Sequence, residues 1–65
     1  MKIVNTYQIM IIYDEKRPFI FAKKLQETLN EIEKRSNIAE THINSFQYGK
    51  DIMQTAIILE KTNLL

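Results

Sequence analysis

Cysteine and tryptophan are absent from this sequence of 65 residues, and glycine and proline occur once each. Without cysteine, no disulfide can hold the fold together. Because His42 is the one histidine and the carboxylates are scattered, we expect no structural zinc, and a single glycine argues against a glycine-rich phosphate loop. A domain of this length buries only about 60% of the surface of its unfolded chain. Association with a second chain is therefore the expected source of additional stability.

An excess of charge of either sign is also missing, since nine basic side chains face eight acidic ones. No general basic field is available to attract nucleic acid or an anionic membrane. No apolar run is long enough to cross a bilayer, and the N-terminal residues lack the apolar core of a signal peptide. We expect a single domain over residues 1–65, soluble and cytoplasmic (in the host cell if the protein is viral), with no membrane partner.

Residues 8–13 are the stretch around which the rest of the chain is organised, and they predict a strand that is covered on both faces. Alternate side chains of a strand point to opposite faces, so Met10 and Ile12 point to one face and the odd-numbered residues to the other. Both faces are apolar, which is typical of a strand without a solvent-exposed face. One helix can cover only one of them, so we expect a second copy of the chain on the other.

A helix is predicted from Pro18 to about Arg35, because the fixed φ of proline suits a first helical turn. An apolar stripe with spacings of four, four and three residues runs along this segment. Its members are Phe21, Leu25, Leu29 and Ile32. Such a stripe is one face of an amphipathic helix and is expected to pack on the sheet.

Phe19 and Ile20 lie outside that stripe and have two interpretations. Either they are exposed in the first helical turn and contact a partner, or residues 18–22 form a short strand that folds back on residues 8–13. Exposed apolar patches commonly mark interaction sites. The helical interpretation therefore makes this pair the strongest candidate for an apolar contact with another molecule.

Two further strands are predicted at residues 41–48 and 52–60, with a turn at residues 49–51 in which glycine supplies a positive φ. The expected fold is α+β, in the order β-α-β-β, with one helix on one face of a small antiparallel or mixed three-stranded sheet. The crossover should be right-handed. The two most apolar strands, the first and the last, should be interior, and the polar strand at residues 41–48 should lie at an edge.

The uncovered face of this sheet is the predicted contact between two copies of the chain. Residues 57–59 are apolar on both sides of the last strand, as residues 8–13 are in the first. We therefore expect dimerisation through the sheet, with Met10, Ile12 and Ile58 at the dimer interface.

An N-terminal strand, one helix, and the segments INSFQY at residues 43–48 and QTAIILE at residues 54–60 follow one another in this chain. In this order they are similar to small sporulation-associated proteins of the Cse60 type, relatives of which occur in phages of low-GC Gram-positive bacteria. The first strand is longer here and the hairpin turn shorter. The resemblance implies a small cytoplasmic accessory protein without an assigned activity, and it transfers no catalytic residues.

Reactive side chains are few in this sequence. His42 could act as a base or a ligand only beside a suitably held partner group, and the simpler expectation is an exposed histidine next to Glu40. Ser36 and Ser45 would need an activating base to serve as nucleophiles. Ser36 is better explained by its place at the helix end, and Ser45 by its place in the edge strand. We expect no enzymatic activity, no cofactor and no metal.

Two functions remain. The first is a small homodimeric interaction protein that binds a partner protein through Phe19, Ile20, Tyr48 and Lys50, which would suit a phage or mobile-element protein directed at a host factor. The alternative is a single-stranded nucleic-acid-binding protein in which Phe46 and Tyr48 stack on bases beside Lys50. Because the sequence has almost no net charge, it favours the protein partner.

Overall fold

The computed structural model describes residues 3–14, 16–17 and 19–62. Three strands and one helix follow in the predicted order. The strands are β1 (Ile3–Tyr13), β2 (Asn37–Tyr48) and β3 (Asp51–Lys61), and the helix is α1 (Ile20–Glu33). β1 and β2 each begin several residues before the apolar alternation that predicted them, so the strands are long for so small a domain.

β3 occupies the centre of the sheet, in the order β1-β3-β2, and both pairings are antiparallel. The prediction that the first strand is interior is therefore wrong, whereas the edge position of the polar strand is confirmed. A three-stranded sheet has one interior position, and the short hairpin places β3 directly beside β2. α1 carries the chain from β1 to the opposite edge of the sheet, so β1 is left as the second edge strand.

A two-residue turn, Gly49-Lys50, joins β2 to β3, and Tyr48 pairs with Asp51 across it. Gly49 has a φ of +61°, in the left-handed region that residues with a side chain rarely adopt. A positive φ at Gly49 and none at Lys50 is the pattern of a type II′ turn, whose twist matches that of the flanking strands. The predicted role of this glycine is confirmed.

α1 begins at Ile20, so the short strand considered for residues 18–22 is wrong for the described part of that segment. Pro18 itself lies outside the described residues. The apolar stripe packs on the sheet as predicted, with its first and last members buried and the two between them half-buried against the core. These four residues are Phe21, Leu25, Leu29 and Ile32.

α1 ends at Glu33, earlier than the predicted Arg35. The backbone N–H groups of Arg35 and Ser36 both donate to the carbonyl oxygen of Ile32, at 3.1 and 3.0 Å. This tight turn satisfies a terminal carbonyl of the helix and leads directly into β2 at Asn37. Arg35 consequently lies beside the sheet instead of on the outer side of the helix.

The hydrophobic core is small and lies between α1 and one face of β1 and β3. It consists of Ile9, Tyr13, Phe21, Ile32, Ala56 and Ile58. Ile58 is fully buried in this core, so its predicted place at a dimer interface is wrong. Three consecutive apolar residues at positions 57–59 are compatible with either orientation of β3, and the pairing of Ile58 with Tyr7 decides it: Ile58 points to the helix and Ile57 to the other face.

Candidate interaction surfaces

The face of the sheet opposite α1, hereafter the open face, carries large apolar side chains that stay accessible. Five of them are between 39% and 61% exposed, namely Met10, Ile12, Phe46, Tyr48 and Ile57. Ile12 pairs with Met53, which in turn pairs with Phe46. An apolar row therefore crosses all three strands in the half of the sheet that lies towards the hairpin turn.

The next rows on the same face, away from the hairpin turn, mix polar and apolar side chains. On one side, Met10 pairs with Thr55 and then Asn44, and the next row is Gln8, Ile57 and His42. A carboxylate oxygen of Glu40 lies 2.9 Å from Nε2 of His42, and both side chains are exposed. His42 is thus the solvent-exposed histidine beside Glu40 that the sequence predicted. The open face has an apolar centre and a nearly neutral polar border.

A second accessible surface lies at the start of α1. Phe19, at 78%, has the highest exposure among the exposed large hydrophobic residues, and Ile20 beside it is also exposed. Three basic residues border them in one shallow depression: Lys16, Arg17 and Lys23. We call these five residues the head patch.

The topology brings the predicted partner-binding residues to one end of the molecule. Tyr13, the last residue of β1, pairs with Ile52, which lies next to the hairpin turn that contains Lys50. Lys16 lines the head patch and also a depression shared with Lys50, Asp14 and Asp51.

The structure nevertheless divides the four predicted partner-binding residues between two surfaces. Tyr48 projects from the open face, whereas Phe19 and Ile20 lie at the start of the helix that packs on the other face. Lys50 occupies the turn between these surfaces. One partner cannot simply lie flat across all four residues.

Two features of these surfaces escaped the sequence analysis. Lys16, Arg17 and Lys23 were not assigned to the patch around Phe19, although Lys23 is four residues from Phe19 and its backbone N–H donates to the Phe19 carbonyl at 2.9 Å. That spacing was the available signal. Met53 was not assigned to the open face, because its place depends on the pairing register.

A polar cluster at the opposite end of the sheet surrounds the carboxylate of Glu60, whose residue is only 2% exposed. One oxygen accepts hydrogen bonds from Asn5 Nδ2 at 3.0 Å and from the Tyr7 hydroxyl at 2.8 Å. The other accepts from the Ser36 hydroxyl and from Arg35 Nε at 3.2 Å. The Arg35 guanidinium also donates to the Tyr7 hydroxyl.

These donors lower the pKa of Glu60 to about 2. The hydrogen bond from Ser36 is the largest cause, followed by those from Asn5 and Tyr7, and the charge of Arg35 adds to them against the opposing effect of burial. Each donor stabilises the ionised form. Both oxygens of the carboxylate accept two hydrogen bonds each, so this cluster ties the segment after α1 to β1 and β3 and offers no open position for a ligand.

No group of three or more histidine or acidic side chains among the described residues is placed to hold a metal ion. No helix in the described part of the chain is long and apolar enough to cross a membrane. Comparison with protein-family models, curated proteins and solved structures finds no match to this chain. The similarity to Cse60-type proteins stays a prediction, and function has to be argued from the two accessible surfaces.

Proposed function

We propose that this is a non-enzymatic interaction protein that pairs with a second copy through the open face and binds a partner protein through the head patch. The observation that carries the proposal is the open face itself, on which five large apolar side chains are exposed across three strands. Monomeric proteins rarely expose so contiguous an apolar patch unless it is an interaction site.

The size of the open face suits a dimer. Three strands spaced about 4.8 Å apart and about 36 Å long present roughly 500 Å². Two such faces together reach the roughly 1,000 Å² that a specific interface needs. The accessible surface of the chain is 5028 Å², whereas a compact monomer of this mass has about 4,300 Å². The excess accessible surface is similar in size to one open face, which a second copy would cover.

The chemistry of the open face favours a second copy as the occupant. A two-fold interface brings the same patch of each chain together, so the patch must be compatible with itself. Its apolar centre of Met10, Ile12 and Phe46 meets this condition, and its border has little net charge to repel a copy. An acidic or basic partner would find no complementary charge there.

The decisive experiment is the solution mass, measured by light scattering on a sizing column, of the wild type, Ile12→Glu and Ile43→Glu. Ile12 is 44% exposed on the open face, and Ile43 is 52% exposed on the helix side of β2. The two substitutions therefore match in residue type, element type and exposure. We expect a wild-type mass of twice 7.7 kDa, loss of the dimer in Ile12→Glu, and a retained dimer in Ile43→Glu.

A folded wild-type monomer would contradict the dimer, and equal effects of the two substitutions would show that the open face is not the contact. If Ile12→Glu fails to fold, the conservative variant Ile12→Thr replaces it. The dissociation constant of the Ile12→Thr dimer is then compared with that of the Ile43→Thr dimer.

A second candidate function is binding of single-stranded nucleic acid, because Phe46 and Tyr48 project from the same face two residues apart. Exposed aromatic side chains on a sheet can stack on bases. In the described part of the open face, however, Lys50 in the turn is the one nearby lysine, and Asp51 lies next to it. Few phosphate contacts are therefore available to this surface.

The same face cannot both pair with a copy and stack on bases, so the two candidates are separable. Nucleic-acid binding predicts that a labelled oligonucleotide competes with the dimer, that added salt weakens binding steeply, and that Tyr48→Ala abolishes it. Self-association predicts no oligonucleotide binding at any salt concentration and a dimer that persists in high salt.

A further inference from the structure

We infer that the head patch binds an acidic peptide segment of the partner, one in which an apolar anchor residue is flanked by carboxylates. This inference rests on the proposed function, in which the head patch contacts a partner protein. It adds the chemistry of that partner, and the observations that carry it are the exposure of Phe19 and the charges around it.

The exposure of Phe19 follows from its position as the N-cap residue, just before α1 begins. Phe21, inside the first helical turn, faces the sheet and is buried, whereas Phe19 precedes the apolar stripe and is not part of it. Phe19 therefore contributes nothing to the core, and 78% of its surface stays accessible. Ile20, between them, is also exposed. Covering a phenylalanine with a partner side chain strengthens binding by about tenfold or more.

Among the residues that the structure describes, the charged side chains that line the depression with Phe19 are all basic: Lys16, Arg17 and Lys23. Of these, Arg17 has an acidic neighbour, Asp14, at 4.0 Å, and both side chains are well exposed. The attraction within such an exposed ion pair is weak, so Arg17 can still interact with a partner carboxylate. Lys16 and Lys23 make no ion pair with the described residues, and the first turn of α1 has no acidic side chain.

This arrangement selects a carboxylate-bearing partner over a neutral one. A peptide side chain that covers Phe19 brings its neighbours within reach of three cationic side chains, and these attract acidic residues and disfavour basic ones. Aromatic residues and arginine are the residue types most often found at the centre of binding surfaces. The head patch has one of each.

A flat anionic membrane fits the same end less well. Asp14 and Asp51 share the neighbouring depression with Lys16 and Lys50, so a planar anionic surface pressed on the head patch would also approach two carboxylates. A narrow peptide can contact Phe19 and the three basic residues without doing so. The small apolar area of Phe19 and Ile20 is also below what stable membrane anchoring needs.

The test uses the full chain and an array of immobilised octapeptides, each with a central leucine or phenylalanine flanked by acidic, neutral or basic residues. Binding of labelled wild-type protein is compared with that of Phe19→Ser, Lys23→Glu and the control Lys34→Glu. Lys34 lies beyond the far end of α1, paired with Glu31 at 3.1 Å. Vesicles of phosphatidylserine and phosphatidylcholine are measured in parallel, and sizing of each sample reports whether the dimer is intact.

We expect the wild type to prefer acid-flanked peptides, Phe19→Ser to lose about tenfold or more in affinity, and Lys23→Glu to shift the preference away from acidic flanks. Lys34→Glu should bind as the wild type does. Equal binding to all flanks, binding unaffected by Phe19→Ser, or Phe19-dependent binding to vesicles alone would overturn the inference. An intact dimer with no peptide preference refutes only the binding of acidic peptides by the head patch, whereas a monomeric wild type refutes the dimer in the proposed function.

Discussion

Glu60 shows at the scale of a single residue how this small protein uses a buried charge. Burial of a carboxylate is unfavourable unless hydrogen bonds and an opposite charge compensate for it. Asn5 and Tyr7 from β1, together with Ser36 and Arg35 from the segment after α1, supply both. The guanidinium of Arg35 also lies 5.9 Å from the centroid of the Tyr7 ring. The cluster thus joins three parts of the fold at the end of the sheet away from the hairpin turn.

The depressed pKa of Glu60 makes stability depend on acid in a defined range. In the fold its pKa is about 2, below the ordinary value of 4.5, so the ionised carboxylate favours the folded state. This contribution is fully present above about pH 4.5 and is lost as the pH falls towards 2. We expect the difference in free energy of unfolding between the wild type and Glu60→Gln to shrink over that range, measured by urea unfolding at a series of pH values.

A matched control for this prediction is Glu31→Gln, which removes an exposed carboxylate of the helix that pairs with Lys34. Its difference from the wild type should stay small at every pH. A Glu60→Gln difference that is constant from neutral pH to pH 2 would show that the carboxylate is not stabilised in the fold.

At the scale of the element, α1 contributes one stripe of side chains to a very small core. Ile32 is 1% exposed and is among the largest fully buried residues. Its neighbour in the cluster, Ile58, comes from the central strand. With so few buried residues, each large side chain carries a sizeable part of the hydrophobic stabilisation.

We predict that Ile32→Ala lowers the free energy of unfolding by about 2–5 kcal/mol, because it removes buried methyl groups and leaves a cavity. The matched control is Ile20→Ala, in the same helix but at an exposed position, which should change stability by about 0.5 kcal/mol or less. Urea unfolding measures the free energy of unfolding of both variants, and the slope of that free energy against urea concentration should stay as in the wild type. Similar losses in the two variants would mean that the helix does not pack through the described stripe.

At the scale of the whole molecule, the described fold is a thin plate. Its principal extents are 47, 17 and 11 Å, and its radius of gyration is 13.6 Å, against about 10.7 Å for a compact domain of this length. Long strands and one short helix produce this shape, because α1 cannot cover the full length of the sheet. A second copy on the open face would give the plate a thicker, two-sided core.

A dimer held by the open face predicts that stability depends on protein concentration, since association contributes to folding. We expect the midpoint of thermal unfolding to rise by about 5 °C for each tenfold increase in protomer concentration, measured by circular dichroism. Ile12→Glu should unfold at a midpoint that does not change with concentration. A concentration-independent midpoint in the wild type would contradict an assembly that supports the fold.

Much of the architecture could be read from residue patterns, and the errors have identifiable causes. The stripe from Phe21 to Ile32 predicted the helix and its buried face, and Gly49 predicted the turn. Ile58 was assigned to the wrong face, because residues 57–59 are apolar throughout and a one-residue change of phase exchanges the two faces. The basic border of Phe19 was missed although the four-residue spacing to Lys23 was a signal for it, whereas Lys16 and Arg17 precede the helix and no sequence pattern places them beside Phe19.

The sequence by itself determined the order of elements, the amphipathic helix, the glycine turn and the presence of more apolar strand surface than one helix can cover. These are local properties, since they depend on dihedral preferences and on the period of the side chains. Only the tertiary structure decided that β3 is central, that Ile57 and Met53 join Ile12 on the open face, and that Glu60 lies among four donors. Those facts depend on strand pairing and register, which bring together residues as far apart in sequence as Asn5 and Glu60.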